Sequence, residues 1–560
     1  MTFRTRQLRA IFGRRQSSRE PRLRAKRAPL SFGSTARLHD LTLALGAILA
    51  LLAVWVVVQR FRYPIDAQWT TGAVRDAVAR VRDGLPLYVA PSAHYVSLAD
   101  PPLYVWICAA VAHACSPFVA CKIVSTVSMI VSGWGLFRLA DLLGATPVWR
   151  DHVLALHVVT YALTTLLLDL EDPASLHACL VVLGLVVLLG GYSPQLAGAL
   201  MGLACFADAA GLALFAAAAI GLVIANERRR ALLLASGGVA VLVVLGGYLA
   251  LSTDGWFTFH AVCVPLAQPW SAASSAHFLV ADVPLAFALA AASLAMIATS
   301  AKRGTPWPET VLASVLAAAL LVAVTCGGSA SRRVVLLELA CVAAVVMATR
   351  LERAAEGTRA AQTIPRLLLA GACLQILGSM FDPFELAPDR SDLADRRRLG
   401  ALVQALEADG DVLVTTNGGL TRSPSLHASA LDALLRAGEY APPDLLDGLA
   451  ERRYAALLLP RLFDCPFAHC DELAAAVARN YFVAGRRPER NRGATTGEDA
   501  RARWLLRPRQ RPLDLSLDQL RGRLRIEQGF ATIKSAGLAR DEEITPADDI
   551  EDLASGVGAR

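Results

Sequence analysis

Long apolar runs separated by short polar breaks fill most of the chain up to residue 381. Most of the runs are about 16 to 22 residues long, the length that a helix needs to cross the hydrocarbon core of a bilayer. They occupy residues 41–59, 101–118, 122–143, 153–168, 173–190, 194–225, 231–251, 283–300, 309–326, 333–349 and 364–381. The pattern predicts an α-helical polytopic membrane protein with about 11 spans over residues 39–385.

Composition agrees with this class, because the 560 residues are 55% hydrophobic and only 18% charged. Residues 1–38 carry eleven Arg or Lys against the single acid Glu20. Such a basic tail is held in the cytoplasm by the positive-inside rule, and attraction to anionic headgroups is the alternative. We expect a multi-pass protein of the plasma (inner) membrane with its N-terminus in the cytoplasm.

The Arg-rich breaks at 226–230, 302–303 and 350–353 are expected on the cytoplasmic side. The run 364–381 then leads outside, so the number of spans is odd. Asp208 interrupts the run 194–225, which is either one span or two. If the run 194–225 forms two spans, the run 101–118 does not cross the membrane, and the loop at Asp169–Asp172 faces the same side as Asp66. If the run 194–225 forms one span, that loop faces the cytoplasm. We favour the first arrangement for a reason given below.

After the last run the composition changes, and residues 386–487 are predicted to form a small extracytoplasmic α/β domain. Residues 411–416 and 454–459 have the pattern of buried strands, and residues 427–437, 443–453 and 471–479 that of helices. Residues 488–560 are charged and show little periodicity. We expect that tail to be largely disordered or only weakly structured.

The outer loop 60–103 is longer and more polar than a connection between two spans requires. It contains Asp66 close to the end of the first span, and an amphipathic stretch at 74–82. A carboxylate at a membrane surface is expensive and is a functional candidate, either as a general base or as a metal ligand. The alternative is a solvated acid paired with Arg62.

Asp169, Glu171 and Asp172 form a second set of acids between two spans. They are candidates for catalysis or metal binding, although Asp172 before Pro173 also fits the start of a helix. These acids can belong to the same functional site as Asp66 only if they face the same compartment.

Arg332 and Arg333 follow a Gly/Ser-rich break on the side predicted to be outside. Two arginines there run against the positive-inside trend. Guanidinium groups suit a lipid phosphate, and a tolerated exception to the trend is the alternative.

Two further groups of residues have simpler explanations. Trp256, His260, Trp270 and His277 in the loop 252–282 are expected in an interfacial aromatic belt. Cys465 and Cys470 flank His469, and a disulfide in an oxidising compartment is favoured over zinc, which lacks a fourth ligand.

Taken in order, these features resemble the bacterial GT-C superfamily of membrane glycosyltransferases. Asp66 stands for the early acid of that family, and residues 72–83 for its juxtamembrane helix. The next two motifs of the family correspond to Gly84-Leu85-Pro86-Leu87-Tyr88 and Pro101-Pro102-Leu103. Its second acidic motif corresponds to the acids at 169–172. That correspondence is why we favour a non-spanning 101–118. Asp100 departs from the pattern, since members often carry a cationic, His or aromatic residue there.

The resemblance is to families that use polyprenyl-phosphate-linked sugars, such as the protein-mannosyltransferase-like and aminoarabinose-transferase-like ones. It implies a sugar transfer from that donor to a lipid or envelope glycan acceptor on the outer face, with membrane lipids but no nucleic acid as partners. It implies catalytic roles for Asp66, Glu171 and Asp172, and substrate binding by Arg332, Arg333, Tyr88, His94 and Tyr95. A divalent metal is compatible with these acids, and the sequence leaves it open.

The alternative is a non-catalytic transporter, flippase or scaffold for lipid-linked glycan intermediates. A transporter predicts charged residues paired within the spans, for which Asp208 and Glu338 are the main candidates.

Overall fold

The computed structural model describes residues 33–63, 70–164, 168–300, 305–325, 330–356, 358, 360–415, 426–459, 470–486 and 504–535. A bundle of apolar helices is followed by a smaller α/β unit. The bundle contains α1 Gly33–Arg62, α2 Thr71–Arg82, α3 Leu103–Val111, α4 Pro117–Leu142, α5 Pro147–Leu163, α6 Ala174–Leu189, α7 Pro194–Cys205, α8 Gly211–Ile224 and α9 Arg228–Ser252. It continues with α10 Trp256–Ala267, α11 Ala272–Leu285, α12 Phe287–Ser300, α13 Trp307–Thr325, α14 Ala330–Ala355 and α15 Ala360–Gly378.

Several of these helices are suited to a bilayer, and the chain is a multi-pass membrane protein. Among the described residues, five helices are long and apolar enough to cross a membrane, or six if α11 and α12, which bend by 106° at their junction, count as one span. Shorter apolar helices, α6, α7 and α8 among them, occupy other parts of the predicted runs, and α10 lies in the predicted loop 252–282. The total of about 11 spans stays a prediction.

Two of the predicted runs are broken in the structure. The run 101–118 contains only α3, whose nine residues rise about 14 Å, half of a hydrocarbon core that is about 30 Å thick. A separate helix, α4, then begins at Pro117 behind the N-cap Ser116. The run 194–225 divides into α7 and α8, and Asp208 lies in the break between them.

Contacts between helix ends define two ends of the bundle. Arg60 of α1 forms an ion pair with Asp169, which places the loop before α6 at the same end as the C-terminus of α1; this is called the upper end. At the opposite, lower end, Arg353 donates to the Gly144 carbonyl (2.9 Å), and Arg230 stacks on Trp307 (4.4 Å). Two of the Arg-rich breaks, 226–230 and 350–353, therefore lie at the lower end.

Close packing in the bundle depends on small residues, as is usual between membrane helices. A Cβ atom on Gly198 of α7 would lie 1.9 Å from the Leu234 carbonyl oxygen of α9. A Cβ atom on Gly237 of α9 would lie 2.0 Å from the Gln195 carbonyl oxygen. Any side chain at either position would push these two helices apart.

The α/β unit follows the bundle from residue 383. It consists of α16 Pro383–Leu386, α17 Arg390–Glu407, β1 Asp411–Val414, α18 Ala428–Arg436, α19 Pro443–Ala450, β2 Tyr454–Leu459, α20 Asp471–Asn480, β3 Tyr481–Arg486, β4 Trp504–Pro508 and α21 Leu517–Ser535. The sheet order is β1-β2-β4-β3, with β1 parallel to β2 and β4 antiparallel to both of its neighbours. The sequence pattern located β1, β2 and three of the helices.

The end of this unit differs from the sequence-based boundary. Residues 488–560 were expected to be largely disordered or only weakly structured, but β4 and α21 lie within that range and belong to the fold. Leu506 of β4 and Leu520 and Leu524 of α21 are buried in the same apolar cluster as Leu457 of β2. These apolar residues are few and are separated by arginines, so the local pattern is weak although the burial is complete.

The α/β unit docks on loops at the upper end of the bundle. Asp444 accepts a hydrogen bond from the Ala93 backbone N–H (2.8 Å), and Gln268 donates to the Ala433 carbonyl (2.6 Å). His427 contacts Asp76 of α2 through its Nε2 atom (2.8 Å). The unit therefore holds the outer loop 83–102 against the bundle.

Candidate functional site

Charged side chains from separate segments meet at the upper end of the bundle. Asp100 precedes α3, Asp172 precedes α6, Asp208 lies between α7 and α8, and Arg332 stands near the start of α14. Asp172 is influenced electrostatically by Asp100 and Asp208, and Asp100 by Asp208 and Arg332. A backbone hydrogen bond from Leu103 to the Phe206 carbonyl (2.8 Å) ties two of these segments together.

The surroundings of Asp100 and Asp172 raise the pKa values of these two acids. Burial raises the pKa of Asp172 to about 7; the Ala174 N–H, which donates to its carboxylate, lowers it, and Asp100 and Asp208 raise it. The Asp100 side chain is accessible to solvent, although many protein atoms surround it. This burial raises its pKa to about 6, with a further rise from Asp208 and an opposing effect of Arg332. The site therefore changes charge near neutral pH.

Tyr88 and Tyr95, both predicted to bind substrate, are buried and support the outer loop. The Tyr88 hydroxyl donates to the Asp100 carbonyl (2.6 Å), and its ring packs against Phe257. The Tyr95 hydroxyl donates to the Leu87 carbonyl (3.1 Å), and the Arg80 guanidinium lies over its ring (4.2 Å). Their contacts fix the loop that carries Asp100. His94 is exposed.

Two acids of the second acidic motif are held in the interior. Asp169 accepts hydrogen bonds from Arg60 (2.6 Å) and from the Tyr161 hydroxyl (2.7 Å). Glu171 lies 3.5 Å from Lys122 of α4, and both side chains are 1% exposed. Breaking a buried ion pair by removing one partner costs about 3–5 kcal/mol. Asp169 and Glu171 therefore anchor the loop, and Asp172 is the member that reaches the charged site.

The two predicted arginines have different neighbours. Arg333 forms an ion pair with Asp282 (2.9 Å) and lies over the Phe278 ring (5.6 Å). Arg332 is the one that acts on Asp100. Asp66 lies outside the described residues, as do Cys465 and His469, so the general base and the disulfide stay predictions.

The loop 252–282 is only partly an aromatic belt. His260 is buried and its Nε2 atom contacts the Val89 carbonyl (3.0 Å), while Trp256 packs against its ring. Trp270 is largely exposed, as expected for a belt residue. His260 was placed wrongly in the belt because sequence alone does not show that the outer loop folds over it.

The described residues contain no group of three or more His, Cys, Asp or Glu side chains arranged to hold a metal ion. Asp100, Asp172 and Asp208 influence each other without converging on one point. The described acids therefore do not fit a metal, and no step is assigned to one.

Sequence reasoning missed Asp100 and Asp208 as members of the site. Asp100 was the position that departed most from the family pattern, and Asp208 was taken as a break in an apolar run and as a candidate charged residue of the transporter alternative. The available signal was an acid at the end of an apolar segment in both cases, which is costly at a membrane surface.

The bundle and its acid–arginine site define a multi-pass membrane protein with a polar site at one end. No protein-family model and no curated protein matches the chain. Several solved structures are similar to it, among them the following three. ArnT from Cupriavidus metallidurans bound to undecaprenyl phosphate has 12% identity and a TM-score of 0.49, over 85% of this chain and 98% of that chain.

The Archaeoglobus fulgidus oligosaccharyltransferase has 13% identity and a TM-score of 0.38, over 74% of this chain and 58% of that one. Arabinofuranosyltransferase AftD from Mycobacteria has 16% identity and a TM-score of 0.40, over 82% of this chain and 41% of that one. By their names, the last two of these proteins transfer sugars: one is an oligosaccharyltransferase and the other an arabinofuranosyltransferase. At these identities and TM-scores, the similarity assigns no activity and no substrate to the chain.

Proposed function

We propose that the protein is an integral membrane glycosyltransferase of the GT-C type that moves a sugar from a polyprenyl-phosphate donor to an acceptor on the outer face of the plasma membrane. One observation carries the proposal: separate segments bring Asp100, Asp172, Asp208 and Arg332 to the same end of the bundle. Acids that can hold an acceptor hydroxyl or amine thus lie beside a cation that can hold a phosphate.

In this mechanism, the acceptor oxygen or nitrogen attacks the anomeric carbon of the sugar. The bond between that carbon and the phosphate oxygen breaks, and polyprenyl phosphate leaves with the electron pair. Asp66 takes the proton of the acceptor as general base, and Asp172 orients the acceptor. Arg332 stabilises the charge that grows on the departing phosphate. Glu171 acts through Lys122 by holding the loop that carries Asp172.

Arg333 has a supporting place in this scheme. Its pairing with Asp282 and its position over Phe278 fix the start of α14, next to Arg332. Tyr88 and Tyr95 support the site through the backbone of the outer loop. In this proposal, the exposed His94 meets substrate from the solvent side.

The test is turnover by the purified full chain with a set of polyprenyl-phosphate sugars, scored by the release of polyprenyl phosphate. Loss of a general base reduces such a rate by about 10²–10⁴-fold, which is the drop expected for Asp66→Asn. Asp151→Asn is the control, because Asp151 is an exposed acid that follows Arg150 at the lower end of the bundle. Turnover unchanged by Asp66→Asn would remove that residue from the mechanism.

One observation favours a non-catalytic transporter or flippase as the second candidate. Glu338 of α14 is buried within the bundle, accepts a hydrogen bond from Ser132 (2.8 Å) and lies 3.7 Å from His157 of α5. Ionisable groups placed next to each other between spans are typical of transporters. Movement of a lipid-linked sugar across vesicle bilayers, without release of polyprenyl phosphate from any donor, would favour this candidate.

A further inference from the structure

A cavity of about 650 Å³ opens at the upper end of α1, away from the acid–arginine site. One wall is formed by Trp55, Gln59 and Tyr63, which follow each other on successive turns of one helix face. The other wall is formed by Phe384 and residues 387–391, where the chain leaves the bundle and enters α17. Its volume lies in the range of small-molecule sites, about 300–1,000 Å³.

The lower part of this cavity is aromatic and continues into a surface suited to acyl chains. The rings of Trp55 and Phe384 meet edge to face, with centroids 5.1 Å apart, and Phe384 is 71% exposed. Leu51, Val54 and Val58 of α1 are exposed beside it and form an apolar stripe along the predicted span. The cavity is therefore continuous with a surface that lipid tails would cover.

The upper part of the cavity carries charged side chains, with Arg390 and Asp389 in its lining and Arg62 next to the lining residue Tyr63. Arg390 is exposed at the first residue of α17, and the Arg62 guanidinium lies 5.6 Å from the centre of the Tyr63 ring. Asp382 accepts a hydrogen bond from the Phe384 N–H (2.8 Å), and Asp389 accepts one from the Ser391 N–H (2.7 Å). Both carboxylates thus accept hydrogen bonds at helix starts, and the Arg390 guanidinium in the lining and that of Arg62 beside it are cations that can hold a phosphate.

We propose that this cavity binds an anionic phospholipid of the surrounding bilayer. The phosphate of the headgroup lies against Arg390 and Arg62, and the upper part of one acyl chain lies between Trp55 and Phe384 along the α1 stripe. Aromatic walls below and guanidinium groups above match an amphiphile with a negative head. The site is separate from sugar transfer and stands whether or not the proposed reaction is correct.

The occupant would fasten the junction between the bundle and the α/β unit. Phe384 and residues 387–391 form one wall of the cavity, and this segment leads directly into α17, whose first turn is closed by a capping box between Asp389 and Asp392. A bound lipid would therefore contact the last part of the bundle and the first part of the α/β unit at the same time. Stabilisation by such a lipid follows the fraction of protein that it occupies.

The test is lipid retention by the full chain in detergent, measured by native mass spectrometry during titration with phosphatidylglycerol or phosphatidylcholine. The expected result is tighter binding of phosphatidylglycerol. Arg390→Gln should weaken phosphatidylglycerol binding about fivefold, since one cation near an anionic lipid contributes about 1 kcal/mol. It should leave phosphatidylcholine binding unchanged. Phe384→Ala should weaken both lipids alike, because it removes only apolar contact.

Arg397→Gln is the matched control, because Arg397 is exposed on the same face of α17, two turns and about 10 Å beyond Arg390. Leu367→Ala controls for Phe384→Ala, since Leu367 is 66% exposed on α15. Equal affinity for the two lipids, or an equal effect of Arg397→Gln, would overturn the proposal. Displacement of phosphatidylglycerol by glycerol phosphate alone would overturn the proposal and indicate a site for the headgroup only. Tighter binding of undecaprenyl phosphate than of phosphatidylglycerol would overturn it and indicate a site for a carrier lipid.

Discussion

At the scale of single residues, acids that are adjacent in sequence have different surroundings. Asp169 and Glu171 are fully buried against Arg60 and Lys122, whereas Asp172 turns towards Asp100 and Asp208. The sequence identifies the three acids as a group. It does not separate their roles, because the partners come from α1, α4 and the break between α7 and α8.

The raised pKa of Asp172 predicts a specific pH dependence of stability. The unfolded carboxyl has a pKa near 4, whereas in the fold burial raises the pKa to about 7. The folded state therefore binds more protons than the unfolded state between these values, and stability falls as the pH rises through that window. The Asp172→Asn variant has no carboxyl group at this position and does not lose this stability. Its free energy of unfolding minus that of the wild type should therefore increase by about 1–3 kcal/mol between pH 4 and pH 7.

Thermal unfolding of the detergent-solubilised protein at several pH values measures this difference. Asp151→Asn controls for the loss of a carboxylate at the lower end, where Asp151 is half-exposed. If the stability of Asp172→Asn relative to wild type stays constant or falls with rising pH, the raised pKa of Asp172 is contradicted.

At the scale of elements, apolar periodicity located most helices but not their interruptions. The division of 194–225 at Asp208 was left open, and α3 ends after nine residues inside a run that looks continuous. Both breaks are stabilised by contacts between distant segments, such as the hydrogen bond from Leu103 to Phe206 (2.8 Å). A local pattern cannot report a bond between residues so far apart in the chain.

The position of β4 predicts which truncations the α/β unit tolerates. Because β4 lies between β2 and β3, a chain ended after residue 487 loses a central strand and exposes the cluster that contains Leu457 and Leu506. We expect this variant to be degraded or to aggregate, since an unpaired strand edge leaves backbone groups without partners.

A chain ended after residue 535 is the comparison, because it keeps β4 and α21 and every other described element. Its yield and its resistance to limited proteolysis should match those of the full chain. Equal yield and equal protease resistance of the two truncations would show that β4 does not support the sheet.

At the scale of the whole molecule, the α/β unit and the charged site lie at the same end of the bundle. Asp444, Gln268 and His427 connect the unit to the outer loop, to α10 and to α2. Tyr88 then connects the outer loop to the backbone at Asp100. A soluble-type domain thus supports a site on a membrane bundle through a short series of hydrogen bonds.

The two ends of the bundle predict opposite accessibility in cells. In a Cys263→Ser background, which removes an exposed native thiol, Asp172→Cys should react with a membrane-impermeant maleimide added to intact spheroplasts. Asp151→Cys at the lower end should react only after permeabilisation. Labelling of Asp172→Cys only from the cytoplasmic side would show that this site and Asp66, which is predicted outside, lie on opposite sides of the membrane. That result would contradict the proposed mechanism.

The sequence alone determined the class of molecule, the amphipathic α2, the candidate acids and two strands of the outer unit. These follow from hydrophobic length and periodicity, which are local properties of the chain. Only the tertiary structure decided which acids are neutralised inside, which face the charged site, and where the α/β unit ends. Those outcomes depend on burial and on charge partners from distant segments, because a carboxylate gains or loses its proton according to what surrounds it and not according to its neighbours in sequence.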